Sequence, residues 1–127
     1  MGNDPQRPSI LLVEDDPAVV NALKFSLELE GFDVSAYADG ETLLASRSLP
    51  ETGCLVLDYN LPGMNGLNLL ERLRAANVTL PAILITTNPG SALRTRAALA
   101  GVQIVEKPLL TDALRDSVRY ALGASAR

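Results

Sequence analysis

A handful of polar side chains stand at the ends of apolar runs. Glu14 and Asp15 follow Ser9-Ile10-Leu11-Leu12-Val13, and Asp58 ends Cys54-Leu55-Val56-Leu57. Thr86 ends Pro81-Ala82-Ile83-Leu84-Ile85, and Lys107 follows Val102-Gln103-Ile104-Val105-Glu106. Runs this short, bounded by turn residues, suit strands buried on both faces. Two carboxylates about 5 Å apart repel by roughly 3 kcal/mol at an effective dielectric near 20. Three acids with one lysine therefore need a cation to stay ionised together. A donor set of oxygens without His or Cys suits a hard ion, Mg²⁺ first, with Mn²⁺ as its substitute. A cation beside Asp58 would ease attack of its carboxylate on a phosphoryl group. Lys107 and the Thr86 hydroxyl would hold the remaining phosphoryl oxygens. Taken alone, Asp58 could equally open an Asx-type turn, since Pro62-Gly63 and Asn65-Gly66 follow it.

The elements that must carry these groups follow from the hydrophobic pattern. Strands are expected over residues 9–13, 32–37, 54–58, 81–86 and 102–106. Asp16-Pro17 reads as an N-cap and first helical residue, and Val19, Val20, Leu23 and Leu27 carry the helical period to Glu30. A short helix is expected from Gly40 to about Ser48, with Leu43 and Leu44 inward. Leu67, Leu69, Leu70 and Leu73 mark the next, to about Ala76. Residues 91–100 form a weaker, alanine-rich fourth helix closed by Gly101, and Thr111 caps a last helix with Leu114, Val118 and Leu122 inward. Five strands alternating with five helices imply right-handed crossovers and a parallel sheet covered on both faces. The expected fold class is α/β, a doubly wound, flavodoxin-like sheet of strand order 2-1-3-4-5. Its crevice lies where the order reverses, beyond the strands that end in Glu14-Asp15 and Asp58.

Composition bounds the function. The 127 residues make one domain, and the net charge of −4 argues against direct nucleic-acid binding. The absence of histidine removes His-based metal sites and acid–base catalysis. Cys54, the single cysteine, reads as a small core hydrophobe. No apolar run approaches the ~18 residues of a membrane span, no secretory pattern opens the chain, and a cytoplasmic protein is expected. Residues 1–8 and 124–127 read as tails around a domain at 9–123. Arg72, Arg74, Arg94, Arg96, Arg115 and Arg119 read as solvated faces, and Tyr59 and Tyr120 as packing residues.

Four motifs in order carry a resemblance: Leu-Val-Glu-Asp-Asp-Pro at 12–17, Leu-Asp-Tyr-Asn-Leu-Pro-Gly-Met-Asn-Gly at 57–66, Ile-Thr-Thr at 85–87 and Glu-Lys-Pro at 106–108. Over residues 8–123 the chain resembles the receiver domains of two-component response regulators, such as the chemotaxis regulator. The resemblance implies that Asp58 accepts phosphate from the phosphohistidine of a sensor kinase or phosphotransfer protein. It further implies that Asp15 binds the metal directly, Glu14 through water, and Asn60 by its backbone carbonyl. Thr86 would swing toward the phosphoryl group, Lys107 would pair with it, and Lys107-Pro108 would be a cis peptide. The fourth helix, fifth strand and fifth helix would form the face that changes, meets partners and pairs two copies. Such a protein modifies itself and is not a turnover enzyme.

Three positions depart from the family pattern. Ile104 stands where Tyr or Phe usually turns inward with the threonine. Asn65 replaces a common Asp, and Thr87 is bulkier than the usual Ala. Asn60 at the second position after Asp58 does not fit aspartyl phosphatases of the haloacid-dehalogenase type. Acids after the first strand repel the phosphate a flavodoxin would bind. The remaining alternative is a receiver used as an unphosphorylated scaffold, which usually has lost one of these residues. The expected setting is either a stand-alone receiver or part of a longer regulator or hybrid kinase.

Overall fold

Five parallel strands hydrogen-bond in the order β2-β1-β3-β4-β5: β1 (Ser9–Val13), β2 (Asp33–Tyr37), β3 (Cys54–Asp58), β4 (Ala82–Thr86) and β5 (Gln103–Glu106). The structure is a computed structural model that describes residues 7–46, 48–107 and 113–125. The helices between the strands are α1 (Pro17–Leu29), α2 (Gly40–Ala45), α3 (Gly66–Ala75), α4 (Ser91–Leu99) and α5 (Ala113–Ser125). The expected class and strand order are therefore the observed ones.

The registers bring the strand ends level. Val13 pairs with Leu57, Asp58 with Ile85, and Thr86 with Glu106. β3 and β4 are buried along their whole length, as their unbroken apolar runs require. Alternation along each strand then divides the interior in two. Ile10, Leu12, Val56, Ile83 and Ile85 face one cluster with Leu23 and Leu27 of α1 and Val118 of α5. Leu11, Leu55, Leu57 and Leu84 face the other with Leu43 of α2, Leu67, Leu70 and Leu73 of α3, and Ala97 of α4. Cys54 lies in the first cluster, and its burial pushes the thiol up to about 12, as a packing role would have it.

Local chemistry sets the boundaries. Asp16 caps α1 by accepting from the Ala18 N–H at 3.0 Å, with Pro17 at the first helical position. Asp39 caps α2 and Asn65 caps α3, each accepting an N–H at 2.7 Å. Asn65 caps as well as the common Asp would. Helix α2 stops at Ala45 rather than near Ser48, because Ser46 turns to an extended φ of −69° and ψ of 132°. β4 begins one residue after Pro81, which has no N–H for the ladder but accepts from Leu55 N–H at 2.8 Å. α4 is lightly anchored, since its alanines bury little side chain: Gly90 offers it no side-chain cap, and Ala97 is its buried residue.

Three expectations change. The last residues of the N-terminal tail are fixed: Arg7 donates to the Gly31, Glu28 and Phe32 carbonyls at the end of α1, and Pro8 accepts from Asp33 N–H. Helix ends carry unsatisfied carbonyls, which a guanidinium can take. Arg74 is not merely solvated, since it donates to Val78 and Leu80 carbonyls at 2.9 and 2.7 Å. Arg94, Arg96 and Arg119 stay about half exposed, as solvated faces would have them, while also entering ion pairs; Arg115, 30% exposed, shares Glu30 with Arg119. Tyr120 is 72% exposed on α5 and packs nothing away, whereas Tyr59 is half-buried against the second cluster. The Lys107-Pro108 peptide bond, Thr111 and residues 1–6 lie outside the described residues.

Candidate functional site

Among the described residues, Glu14, Asp58 and Thr86 are the buried polar ones, each 2% exposed. All three stand at one edge of the sheet. The backbone of Glu14 is held by its N–H on the Tyr37 carbonyl at 3.0 Å, and its Oε2 accepts the Asp16 N–H at 3.2 Å. Asp58 is the last residue of β3, and the next N–H, of Tyr59, donates to the Ile85 carbonyl at 2.8 Å. Lys107 N–H donates to the Thr86 carbonyl at 2.8 Å, which fixes the root of the lysine beside the threonine.

Lys107 closes the site. Its Nζ lies 3.3 Å from Asp58 Oδ2 and 3.4 Å from Glu14 Oε1. Burial pulls the ammonium toward neutrality, but the Asp58 and Glu14 charges outweigh that and raise its pKa. Glu14 is pushed up to about 7, first by burial and then by the Asp58 side chain and charge; the Asp16 N–H and Lys107 oppose the rise. Burial beside a second carboxylate disfavours the charged form of Glu14, which is the sense of the shift.

Glu14, Asp15 and Asp58 each offer a carboxylate oxygen, and these oxygens lie within 4.8 Å of one another. Asp15 is the exposed member. An all-oxygen set with one open side fits a hydrated hard cation. Asn60 is also adjacent: its N–H donates to Asp58 Oδ1 at 3.2 Å. Asp58 thus does open an Asx-type turn, and it also sits in the acid cluster; the two readings of the sequence coexist. Thr86 and Thr87 line a cavity of about 360 Å³ with Tyr59, Asn60 and Leu93, on the side of the site toward α4.

Gly66 contributes in a way that the sequence reading, which took it as a turn residue, missed. A Cβ there would lie 2.5 Å from the Asp58 carbonyl oxygen and 2.8 Å from Leu84 Cδ1. Gly66 N–H meanwhile donates to the Tyr59 carbonyl at 2.9 Å. The start of α3 therefore presses directly on the backbone of the site. The spacing Asp58…Gly66 was visible, but the contact depends on how α3 folds back.

Known proteins agree with this geometry. The family model described as "Response regulator receiver domain" matches residues 10–119. Among curated relatives, the C4-dicarboxylate transport transcriptional regulatory protein DctD of Pseudomonas aeruginosa is 38% identical over 114 residues, covering 89% of this chain and 25% of its own length. The chain thus spans a quarter of that relative. The solved response regulator StyR superposes with a TM-score of 0.85 at 34% identity, over 94% of this chain and 61% of its own. A CheY-like receiver domain protein from Methanospirillum hungatei gives 0.85 at 25% identity, over 95% and 98%. With its sheet order, its strand-end acids and lysine, and a family match over most of its length, the chain belongs to the receiver domains of two-component response regulators.

Proposed function

We propose that this receiver takes a phosphoryl group onto Asp58 from the phosphohistidine of a sensor histidine kinase or phosphotransfer protein. The observation that carries the reading is Asp58 itself, buried yet paired with Lys107 and grouped with Glu14 and Asp15. An Asp58 carboxylate oxygen bonds to phosphorus, the P–N bond to the donor imidazole breaks, and that nitrogen leaves with the bonding pair. Lys107, kept charged by the two carboxylates, pairs with the phosphoryl oxygens, and the Thr86 hydroxyl donates to another. Glu14, Asp15, Asp58 and the Asn60 carbonyl would hold Mg²⁺, or Mn²⁺ in its place. The bound ion supplies charge neutralisation for the transferring group. The product is a modified receiver rather than a released metabolite, so the chain is not a turnover enzyme.

Thr86 moving toward the phosphoryl group then repositions α4, which its ion pairs and its buried Ala97 hold only lightly. The face of α4, β5 and α5 is the surface for partners, including a second copy. The working place is the cytoplasm; among the described residues no helix is long and apolar enough to cross a membrane. Acetyl phosphate with Mg²⁺ should add one phosphate by intact mass, and Asp58→Asn should abolish it. Unchanged labelling of that variant refutes the assignment. No labelling of the wild type turns the reading to an unphosphorylated scaffold.

A further inference from the structure

We infer that Tyr59 is the side chain that carries the state of Asp58 to α4, its ring turning into the cavity under the start of α4 as Thr86 leaves for the phosphoryl group. The inference rests on the phosphoryl-acceptor reading above and names the readout residue of that same site.

The cavity of about 360 Å³ is bounded by Tyr59 on the β3 side, Thr86 at the end of β4, and Leu93 and Arg96 on α4. That is the scale of a space that takes a small molecule, so an aromatic ring has room to turn there. Of the five Phe and Tyr residues in the chain, Tyr59 alone lines it. Phe25 and Tyr120 are exposed on the other helices, Phe32 lies in the first cluster, and Tyr37 ends β2 on the far side of β1. The β5 position at Ile104 carries a branched aliphatic, half-buried against the second cluster, which has no ring to turn.

The backbone of Tyr59 cannot be what moves. Its N–H is on the Ile85 carbonyl at 2.8 Å, and its own carbonyl accepts from Gly66 at 2.9 Å and Leu61 at 3.2 Å. The side chain is the free part, half-buried and next in sequence to Asp58. Its neighbour across the cavity is easily shifted. α4 has no side-chain cap, and its Arg94–Glu106 and Arg96–Glu71 pairs, at 3.1 and 3.7 Å, are about half exposed, where ion pairs hold weakly. Arg96 both lines the cavity and makes one of those pairs, so a ring entering the cavity meets a residue that anchors the helix.

The test compares wild type, Tyr59→Phe and Tyr59→Leu in the whole chain. Each is labelled with acetyl phosphate and Mg²⁺ and followed by amide chemical shifts on adding beryllofluoride, a phosphoryl mimic. The expected result is equal labelling in all three. The shifts in residues 91–99 should be retained by Tyr59→Phe and reduced roughly fivefold or more in Tyr59→Leu, because the ring biases the two positions of α4. A full α4 response in Tyr59→Leu overturns the inference, as does loss of labelling in a folded Tyr59→Leu, which would place Tyr59 in the acceptor site itself. If that variant does not fold, the ring signals of Tyr59 in the wild type decide: they must move with beryllofluoride, and unmoved ring signals overturn the inference. A wild type that labels but shows no α4 response defeats the helix-movement reading and this inference together; a wild type that does not label defeats the acceptor reading first.

Discussion

Asp15 and Asp16 are adjacent and chemically alike, yet the fold gives them different work. Asp16 turns its carboxylate onto the Ala18 N–H and caps α1, while Asp15 joins the acid group with Glu14 and Asp58. Asp15→Asn should therefore weaken Mg²⁺ binding about tenfold or more, which is about 1.4 kcal/mol. Asp16→Asn should change it little and leave the cap intact, since Asn caps helices as well as Asp. Titration of Mg²⁺ against amide shifts distinguishes the two, and equal losses would overturn this division of roles. The different roles could be read from the sequence because Pro17 marks where the helix begins. What could not be read was Arg7 on the end of α1, or Arg74 on the Val78 and Leu80 carbonyls. Both depend on where a loop folds back, and no local pattern announces that.

At the scale of elements, α3 and the Asp58 turn are in direct contact through Gly66. Replacing Gly66 with Ala puts a methyl 2.5 Å from the Asp58 carbonyl oxygen, so backbone must shift. The expected cost is roughly 1–3 kcal/mol of stability, the usual range for overpacking. Phosphorylation should slow as well, because the backbone that shifts belongs to the acceptor. Denaturant unfolding and the rate of mass labelling measure the two effects; a variant with wild-type stability and rate would show that α3 does not constrain the site. Strands were legible to within a residue because each is a buried apolar run with a polar stop. The end of α2 was not, because Ser46 leaves the helix without a glycine or proline at that position.

The whole molecule feels the site through pH. Glu14 titrates near 4.5 in an unfolded chain and about 7 in the folded one, so between those values the folded state binds the extra proton. Its contribution to stability is full below about pH 4.5 and is lost as pH rises through about 7, by at most about 3 kcal/mol. For a domain of this size that is a fall in Tm on the order of 10 °C in metal-free buffer. Lys107, whose pKa is also raised, contributes in the same sense, but its stabilisation is lost only at alkaline pH as the ammonium gives up its proton. Glu14→Gln should flatten the slope between pH 5 and 7, and saturating Mg²⁺ should flatten it too, since a cation favours the carboxylate. Thermal unfolding across that range checks both; a slope that survives Glu14→Gln assigns it to other groups. The grouping of Glu14, Asp58 and Lys107 was legible because strand order and strand ends alone bring them together. The charge state of Glu14 was not, because it depends on how completely α1 and the neighbouring strands exclude water.

The sheet separates two hydrophobic clusters, with α1 and α5 over one and α2, α3 and α4 over the other. Substitutions on opposite faces, such as Leu27→Ala and Leu70→Ala, should then add in their cost to stability to within about 0.5 kcal/mol. For a lineage of such proteins this amounts to two inheritable compartments behind one chemical edge. Drift in the packing under α1 leaves the packing under α2 and α3 unburdened, so one side of the sheet can diverge while the other keeps its old shape.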